Sequence, residues 1–472
     1  MTKKWFWIAI TGVFLLSFTL RFWELGRFNT LVFDEVYYAK FGNNYLNNVP
    51  FFDGHPPLGK LIIAMGIWIG SHIPFWQDQV NGLTGKVLSP WSYRWINALF
   101  GSFIPLIVAG IAYQISYRRS LAIFAGLFTA VDGIFLVESR YALINQYIVF
   151  FGLLGQWFFL LALAQRQRRI WLILSGIAFG ASAASKWNGL WYLLGVYIIW
   201  SVAWIFSWIG VRNEETKSPL QNLTQINIKQ ILFYLGIIPV VVYSIIWIPH
   251  LQLDTRYNFV EVHKQILGFH ERLGGNTRTV HPYCAAWYKW PLMTRPMAYF
   301  YGTTQSVNDG LPVLGPPLPG STGKVIYDVH AMGNPFLWWF GVAALLFLVG
   351  MLVRQMLVPW LRQKRFSNVT LSMDTWIGLY IVINYIINLL PWVKVTRCVF
   401  IYHYMTGVVF AFVAIAWLVE RCVRSYRLEL RAIGVTVTFV ILVSFVFWLP
   451  IYLGLPLSPA AYKLRMWFTS WI

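Results

Sequence analysis

Apolar residues in this chain come in long uninterrupted runs separated by short basic clusters. The runs near 5–22, 93–115, 121–137, 144–164, 170–184, 187–209, 231–249, 335–353, 373–390, 399–419 and 432–452 predict eleven membrane-spanning helices. One further apolar stretch, Leu61 to Ile73, is too short for a hydrocarbon core about 30 Å thick and predicts a helix lying in the interface. The opening segment carries lysines before an apolar core, as a signal peptide does. Its uninterrupted length and the lack of a small-residue cleavage site predict a retained anchor.

The basic clusters set the expected orientation. Lys3-Lys4, Arg118-Arg119, Arg166 with Arg168-Arg169, Arg212 with Lys217 and Lys229, Arg362 with Lys364-Arg365, and Arg421 with Arg424, Arg427 and Arg431 mark cytoplasmic segments. The N-terminus is then cytoplasmic and the C-terminus outside, with two large outer loops, 23–92 and 250–334, on one membrane domain covering 1–472. Were Leu61 to Ile73 to cross, every later basic cluster would change sides. Composition agrees with an all-α polytopic protein of the cell (inner or plasma) membrane: 58% of 472 residues are hydrophobic and 11% charged. The net charge of +20 lies in clusters between apolar runs rather than along one polar face, which argues for topology and against a nucleic-acid partner.

Ionisable chemistry collects at the outer helix ends. Asp34 and Glu35 stand about a dozen residues past the first span, and His55-Pro56-Pro57-Leu58-Gly59-Lys60 follows. Cations also sit at outer ends in Glu138-Ser139-Arg140, Ser185-Lys186-Trp187-Asn188-Gly189 and Lys394 through Arg397, against the positive-inside tendency. Snorkelling to lipid phosphates accounts for any one of them; several on one face point to a bound anion.

Such a site suits transfer of a sugar from a polyprenyl phosphate. The leaving phosphate is a weak base and needs no proton, so one carboxylate suffices to take the proton of the attacking hydroxyl. Asp34 or Glu35 is the candidate base. Lys60, Arg94, Arg140, Lys186 and Arg397 are the candidates for stabilising charge on the departing phosphate. A single displacement of this kind inverts the anomeric centre. No nucleotide site is needed, and Gly320-Ser321-Thr322-Gly323-Lys324 lacks the spacing of a phosphate-binding loop. Asp34, Glu35, Asp53 and His55 are the groups that could supply a divalent ion's ligands, although their spacing forms no recognised metal motif; no other cofactor is expected.

Several of these residues resemble the protein O-mannosyltransferases, which use polyprenyl-phosphate mannose. Phe33-Asp34-Glu35-Val36 with Tyr37 and Lys40, and Phe51-Phe52-Asp53-Gly54 leading into the His55–Lys60 motif, are similar to the family's first outer loop. Arg94 before Asn97-Ala98-Leu99-Phe100-Gly101, Ser139-Arg140-Tyr141 and Ser185-Lys186-Trp187 continue the match. So do His281-Pro282-Tyr283, Trp287, Trp290-Pro291, Arg295-Pro296, Gly333-Asn334-Pro335, Trp338-Trp339, Arg397, Phe400 and Tyr402-His403-Tyr404. The resemblance implies a GT-C fold with the acidic pair at the floor of an outward cavity, and transfer without a metal. It implies transfer of mannose to Ser or Thr hydroxyls of translocated proteins, with Asp34 as base and Glu35 orienting the acceptor or the sugar. His55, Tyr283, Trp290, Arg295, Tyr402 and His403 become substrate-contact candidates. The implied partners are the polyprenyl-phosphate-mannose donor, an acceptor protein or peptide, membrane lipids and the protein-export machinery. One departure stands out: eukaryotic members carry a β-trefoil domain in the large outer loop, whereas about 85 residues here are too few for one, as in a shorter prokaryotic-type member.

Other features have plainer readings. Tryptophans 287, 290, 338 and 339 are expected as interface anchors before sugar platforms, and His281 and His403 as hydrogen-bonded structural groups. Cys284 and Cys398 fall outside and Cys422 inside; free thiols are expected over a disulfide between the outer two. The sequons at Asn222 and Asn368 lie in expected cytoplasmic loops. Two rival functions remain: a related transferase moving another sugar, such as an aminoarabinose or hexose, onto a lipid or cell-wall acceptor, and a lipid-linked sugar transporter or flippase. The second is disfavoured because transporters bind substrate near the midplane, at broken helices related by internal repeats.

Overall fold

The computed structural model describes residues 2–74, 77, 79–165, 167–213, 218–275, 277, 279–304, 313, 323–363 and 370–472. Arg166, Lys217, Gly320, Ser321, Thr322, Lys364, Arg365 and Asn368 lie outside the described residues.

The long apolar runs fold as helices close to the expected bounds, because a backbone in hydrocarbon must satisfy its polar groups internally. Five come early: α1 (Lys3–Phe22), α4 (Pro90–Ser116), α7 (Asn145–Ala164), α8 (Arg168–Ser185) and α9 (Leu190–Trp208). Later come the helices Ile228–Leu253, Pro335–Leu361, Met373–Lys394, Ile401–Val423 and Leu428–Leu453. Among the described residues, nine helices are long and apolar enough to cross a bilayer.

Two of the eleven expected spans differ from plain helices. The run 121–137 is broken into α5 (Arg119–Ala130) and α6 (Gly133–Arg140), bent by 59°, and would make a tenth span if the two cross together. Asp132 sits at the break. Its carboxylate caps α6 at Phe135 N and accepts from Asn334 N and the Trp338 indole, so the buried acid is satisfied where the helix ladder stops. The run 170–184 is α8, whose two leading arginines and many small residues make it less apolar than the others. Those small residues serve packing: a Cβ at Gly180 would stand 2.7 Å from Pro239 O, so the helix Ile228–Leu253 approaches α8 backbone to backbone.

Between α1 and α4 lie α2 (Glu35–Leu46) and α3 (Leu58–Gly70). A short apolar helix therefore stands where one was expected. One face of α3 packs on α2 and α4, with Gly66 against Ile96 and Gly70 against Ser92, while Met65 and Trp68 stay exposed.

The 250–334 segment departs from the all-α expectation. After the amphipathic helix Phe259–Arg272, strands Met297–Thr304 and Val325–Ala331 pair antiparallel. Every residue of Val325–Ala331 is buried, and this strand, with β-branched Val325, Ile326 and Val329, lies against α6 and the helix Leu428–Leu453. Cys284 and Cys398 form a disulfide with Cα atoms 5.2 Å apart, correcting the expectation of free thiols. The two segments meet because Ala285 N donates to Val399 O, and Cys398 N to Gly274 O.

Candidate active site

The acidic pair divides at the start of α2. Phe33 adopts a left-handed backbone conformation (φ 55°), unusual for a bulky residue, and stacks on Tyr299 with ring centroids 4.1 Å apart. The turn is held from below by Glu35, whose fully buried carboxylate accepts from Val32 N, Ala142 N and the Arg94 guanidinium. Asp34, one residue earlier, is left facing a cavity of about 520 Å³.

That cavity is ringed by Tyr37, Tyr38 and Phe41 of α2, by His55, Lys186, His270 and Arg397, and by Tyr402 and His403. Burial pushes the Asp34 carboxyl up to about 6; Lys186 pulls it back down and Asp53 pushes it further up. Burial, with Arg397 nearby, lowers Lys186 to about 8. Burial also holds His55 well below the ordinary histidine value and His270 at about 4, so both imidazoles are neutral at pH 7. The Lys186 ammonium donates to Asn145 Oδ1 (3.0 Å) and stands 5.5 Å from the Tyr402 ring centroid. Arg397 is presented by the stretch that the disulfide ties to the 250–334 segment, and one of its nitrogens holds Cys398 O (3.1 Å).

Two further spaces share lining residues in turn. A recess of about 160 Å³ shares His55, Lys186, His270, Arg397 and His403 with the cavity and adds Trp187, Trp191 and Trp392. An apolar groove of about 720 Å³ shares Trp187 with the recess and runs between α8, α9 and the helix Ile228–Leu253, past Leu190, Leu193, Leu235, Pro239 and Val240. The sequence of environments is a carboxylate, then cations, then hydrocarbon.

The structure therefore brings together Asp34, His55, Lys186, Arg397, Tyr402 and His403 and sets the other candidates apart. Arg94 is spent on Glu35 and on the carbonyls of Leu25, Phe28 and Thr30. Arg140 caps α1 from the carbonyls of Leu20, Arg21 and Trp23, a cation on the negative end of a helix. Lys60 pairs with Asp53 and holds His55 O (2.6 Å), bracing the His55 turn from behind. Arg295 donates to Pro282 O, Ser470 O and Ile472 O and lies over Tyr283, away from the cavity. Trp290 is buried, donates to Ala285 O and stacks behind His403. With Glu35 committed to Arg94 and Asp53 to Lys60, the four groups weighed as a metal set face different partners. Among the described residues no three His, Cys, Asp or Glu groups cluster so as to hold an ion.

Sequence reasoning missed His270, Tyr38 and Asn145. Tyr37 and Phe41 share one face of α2 at a spacing of four, a signal visible in the sequence. His270, whose ring bonds Gly54 O from 216 residues away, left none.

Residues 3–253 match the family model described as dolichyl-phosphate-mannose-protein mannosyltransferase, and residues 255–471 match the C-terminal four-helix membrane region of protein O-mannosyltransferase. The polyprenol-phosphate-mannose–protein mannosyltransferase of Mycolicibacterium smegmatis is 23% identical over 98% of this chain and 93% of its own. That of Corynebacterium glutamicum is 23% identical over 88% and 81%. Among solved structures, the Saccharomyces cerevisiae Pmt1-Pmt2 complex bound to the sugar donor matches with a TM-score of 0.79 at 14% identity, covering 100% of this chain and 93% of that one. ArnT from Cupriavidus metallidurans bound to undecaprenyl phosphate matches at 0.51 and 12% identity, covering 99% and 76%. The fold is that of these GT-C membrane proteins, and with one family model spanning more than half of its length, the chain belongs to the dolichyl-phosphate-mannose-protein mannosyltransferase family.

Proposed function

We propose that this protein transfers mannose, with inversion, from polyprenyl-phosphate mannose to Ser or Thr hydroxyls of translocated proteins. The observation that carries the reading is the succession from Asp34, through Lys186 and Arg397, to the apolar groove beside Trp187. A mannosyl phosphate bound across it has its sugar in the 520 Å³ cavity, its phosphate against the cations and its prenyl chain in the groove.

In the reaction the acceptor oxygen bonds to C1 of mannose as the C1–O bond to phosphate breaks, and the bonding pair leaves with the phosphate. Asp34 takes the hydroxyl proton; Lys186 and Arg397 stabilise the charge that grows on the leaving group. Neutral His55 and His270 can donate hydrogen bonds there without adding charge. Lys60, Arg94, Arg140, Glu35, Trp290 and Arg295 act as framework in this reading, and Tyr402 and His403 line the sugar space.

The protein is a multi-pass membrane protein. Its basic clusters support a plasma-membrane orientation with the N-terminus inside and the cavity outside, where chains emerging from the export machinery would supply acceptors. One membrane unit with the 23–92 and 250–334 segments capping the site is the domain arrangement that fits.

Purified protein in lipid nanodiscs, given polyprenyl-phosphate mannose and a Ser/Thr peptide, is expected to yield an α-O-mannosyl peptide from a β-linked donor. An unmodified peptide, with mannose passing instead to a lipid, would turn the reading toward a lipid-modifying transferase.

A further inference from the structure

Beneath the cavity, on α6, lies a carboxylate that the transfer chemistry does not use. Glu138 is fully buried and accepts from the Tyr299 hydroxyl and from the Asn145 side-chain amide at 3.2 and 3.3 Å. The carbonyl oxygen of the same Asn145 amide accepts from Lys186 at 3.0 Å. An ammonium only donates and a carboxylate only accepts, so an amide between them has one workable orientation, nitrogen toward Glu138 and oxygen toward Lys186. Remove the charge of Glu138 and only Lys186 still orients the amide, with no negative charge behind it to balance the ammonium.

We infer that Glu138 is a positioning residue: acting through Asn145, it aims the Lys186 ammonium at the donor phosphate and supplies that buried cation with a counter-charge placed out of the substrate's way. The separation matters chemically. A carboxylate directly on Lys186 would compete with the phosphate for it, whereas one relayed through a neutral amide balances the charge and leaves the ammonium's outward protons for the ligand. Tyr299 extends the same anchor. Its hydroxyl is fixed by Glu138 and its ring carries the strained Phe33, so one buried acid steadies both the cation and the turn that presents Asp34.

This inference rests on the reading of Lys186 as a donor-phosphate group, and the tests separate the two. Wild-type protein that fails to transfer mannose from the polyprenyl donor sinks that reading; the variants below address Glu138. Glu138→Gln is expected to lower kcat about tenfold while KM for the acceptor peptide stays within about twofold. Adding Asn145→Asp moves the carboxylate one link along the relay, where it accepts both from the amide introduced by Glu138→Gln and from Lys186. Because that carboxylate sits directly on Lys186 and competes with the phosphate, the double variant is expected to stay about tenfold or more below wild type in kcat. If Glu138→Gln does not fold, Asn145→Leu cuts the relay while leaving Glu138 its bond to Tyr299, and the same tenfold loss is expected. Wild-type kcat in Glu138→Gln or in Asn145→Leu, or a double variant with wild-type kcat, would overturn the inference.

Discussion

Glu35 and Arg94 form an ion pair, 2.7 Å between nearest atoms, in which neither side chain reaches solvent. It separates two neighbouring acids: Glu35 holds the turn, and Asp34 is left facing the cavity. Breaking a buried pair leaves a charge without compensation, typically about 3–5 kcal/mol. Glu35→Gln is therefore expected to lower the thermal unfolding midpoint markedly, while Asp34→Asn leaves it near wild type because that carboxylate already faces a cavity. A fully stable but inactive Glu35→Gln protein would move Glu35 from the framework to the substrate.

In the proposed reaction Asp34 must be ionised to act as base and Lys186 protonated to hold the phosphate. Burial raises Asp34 to about 6, so below that pH the group is a carboxylic acid that cannot accept a proton. Lys186, lowered by burial to about 8, is neutral above that value and loses its hold on the leaving phosphate. The kcat of peptide mannosylation is expected to rise through about pH 6 and fall through about pH 8. Asp34→Asn is expected to abolish transfer yet still bind polyprenyl phosphate, measured by calorimetry in nanodiscs. A rate flat from pH 5 to 7 would remove Asp34 as the base.

Much of this was legible in the chain because lipid imposes its rules locally. Run lengths gave the helices, and the acid pair and the His55 motif stood next to the first span. What could not be read was which cations are free. Lys60, Arg94, Arg140, Lys186 and Arg397 look alike in sequence, and their difference depends on partners far away along the chain: Arg140 reaches the end of α1 about 120 residues back, and Arg94 reaches Glu35 across 59. The break at Asp132 was hidden for the same reason, since Asn334 and Trp338 complete it from over 200 residues on. The β-hairpin was obscured by a long polar segment with no alternation clear enough to separate strand from loop.

Arg397 and Arg140, both expected from the sequence as cations at outer helix ends, are expected to fail differently. Arg397 lines both the cavity and the recess, so Arg397→Ala is expected to cost about 2–4 kcal/mol of transition-state stabilisation, a fall in kcat of about 30-fold to 1,000-fold, with little change in stability. Arg140→Ala removes the cap of α1 and is expected to act on folding and expression instead. Parallel measurement of kcat and unfolding midpoint decides it. A stable Arg140→Ala protein with slow transfer would bring Arg140 back to the phosphate.

The disulfide gives the last test, because it sits beside the cation it helps to place. Cys398 lines the cavity next to Arg397, and its bond to Cys284 spans 114 residues of chain. Closing a loop of that size constrains the unfolded segment, typically by about 2–4 kcal/mol. The helices of the bundle do not depend on it, since their packing is made by apolar contacts elsewhere. Without it, the Arg397 stretch is held to the 250–334 segment by the Cys398–Gly274 and Ala285–Val399 backbone bonds and the small bridge at Gly275. Cys284→Ser/Cys398→Ser is therefore expected to keep its helical circular dichroism while kcat falls several-fold, as Arg397 loses its fixed aim. Adding Arg397→Ala to that background should cost less than it does in the wild type, because part of the same interaction is already lost. Equal costs in the two backgrounds would mean that the staple serves stability alone.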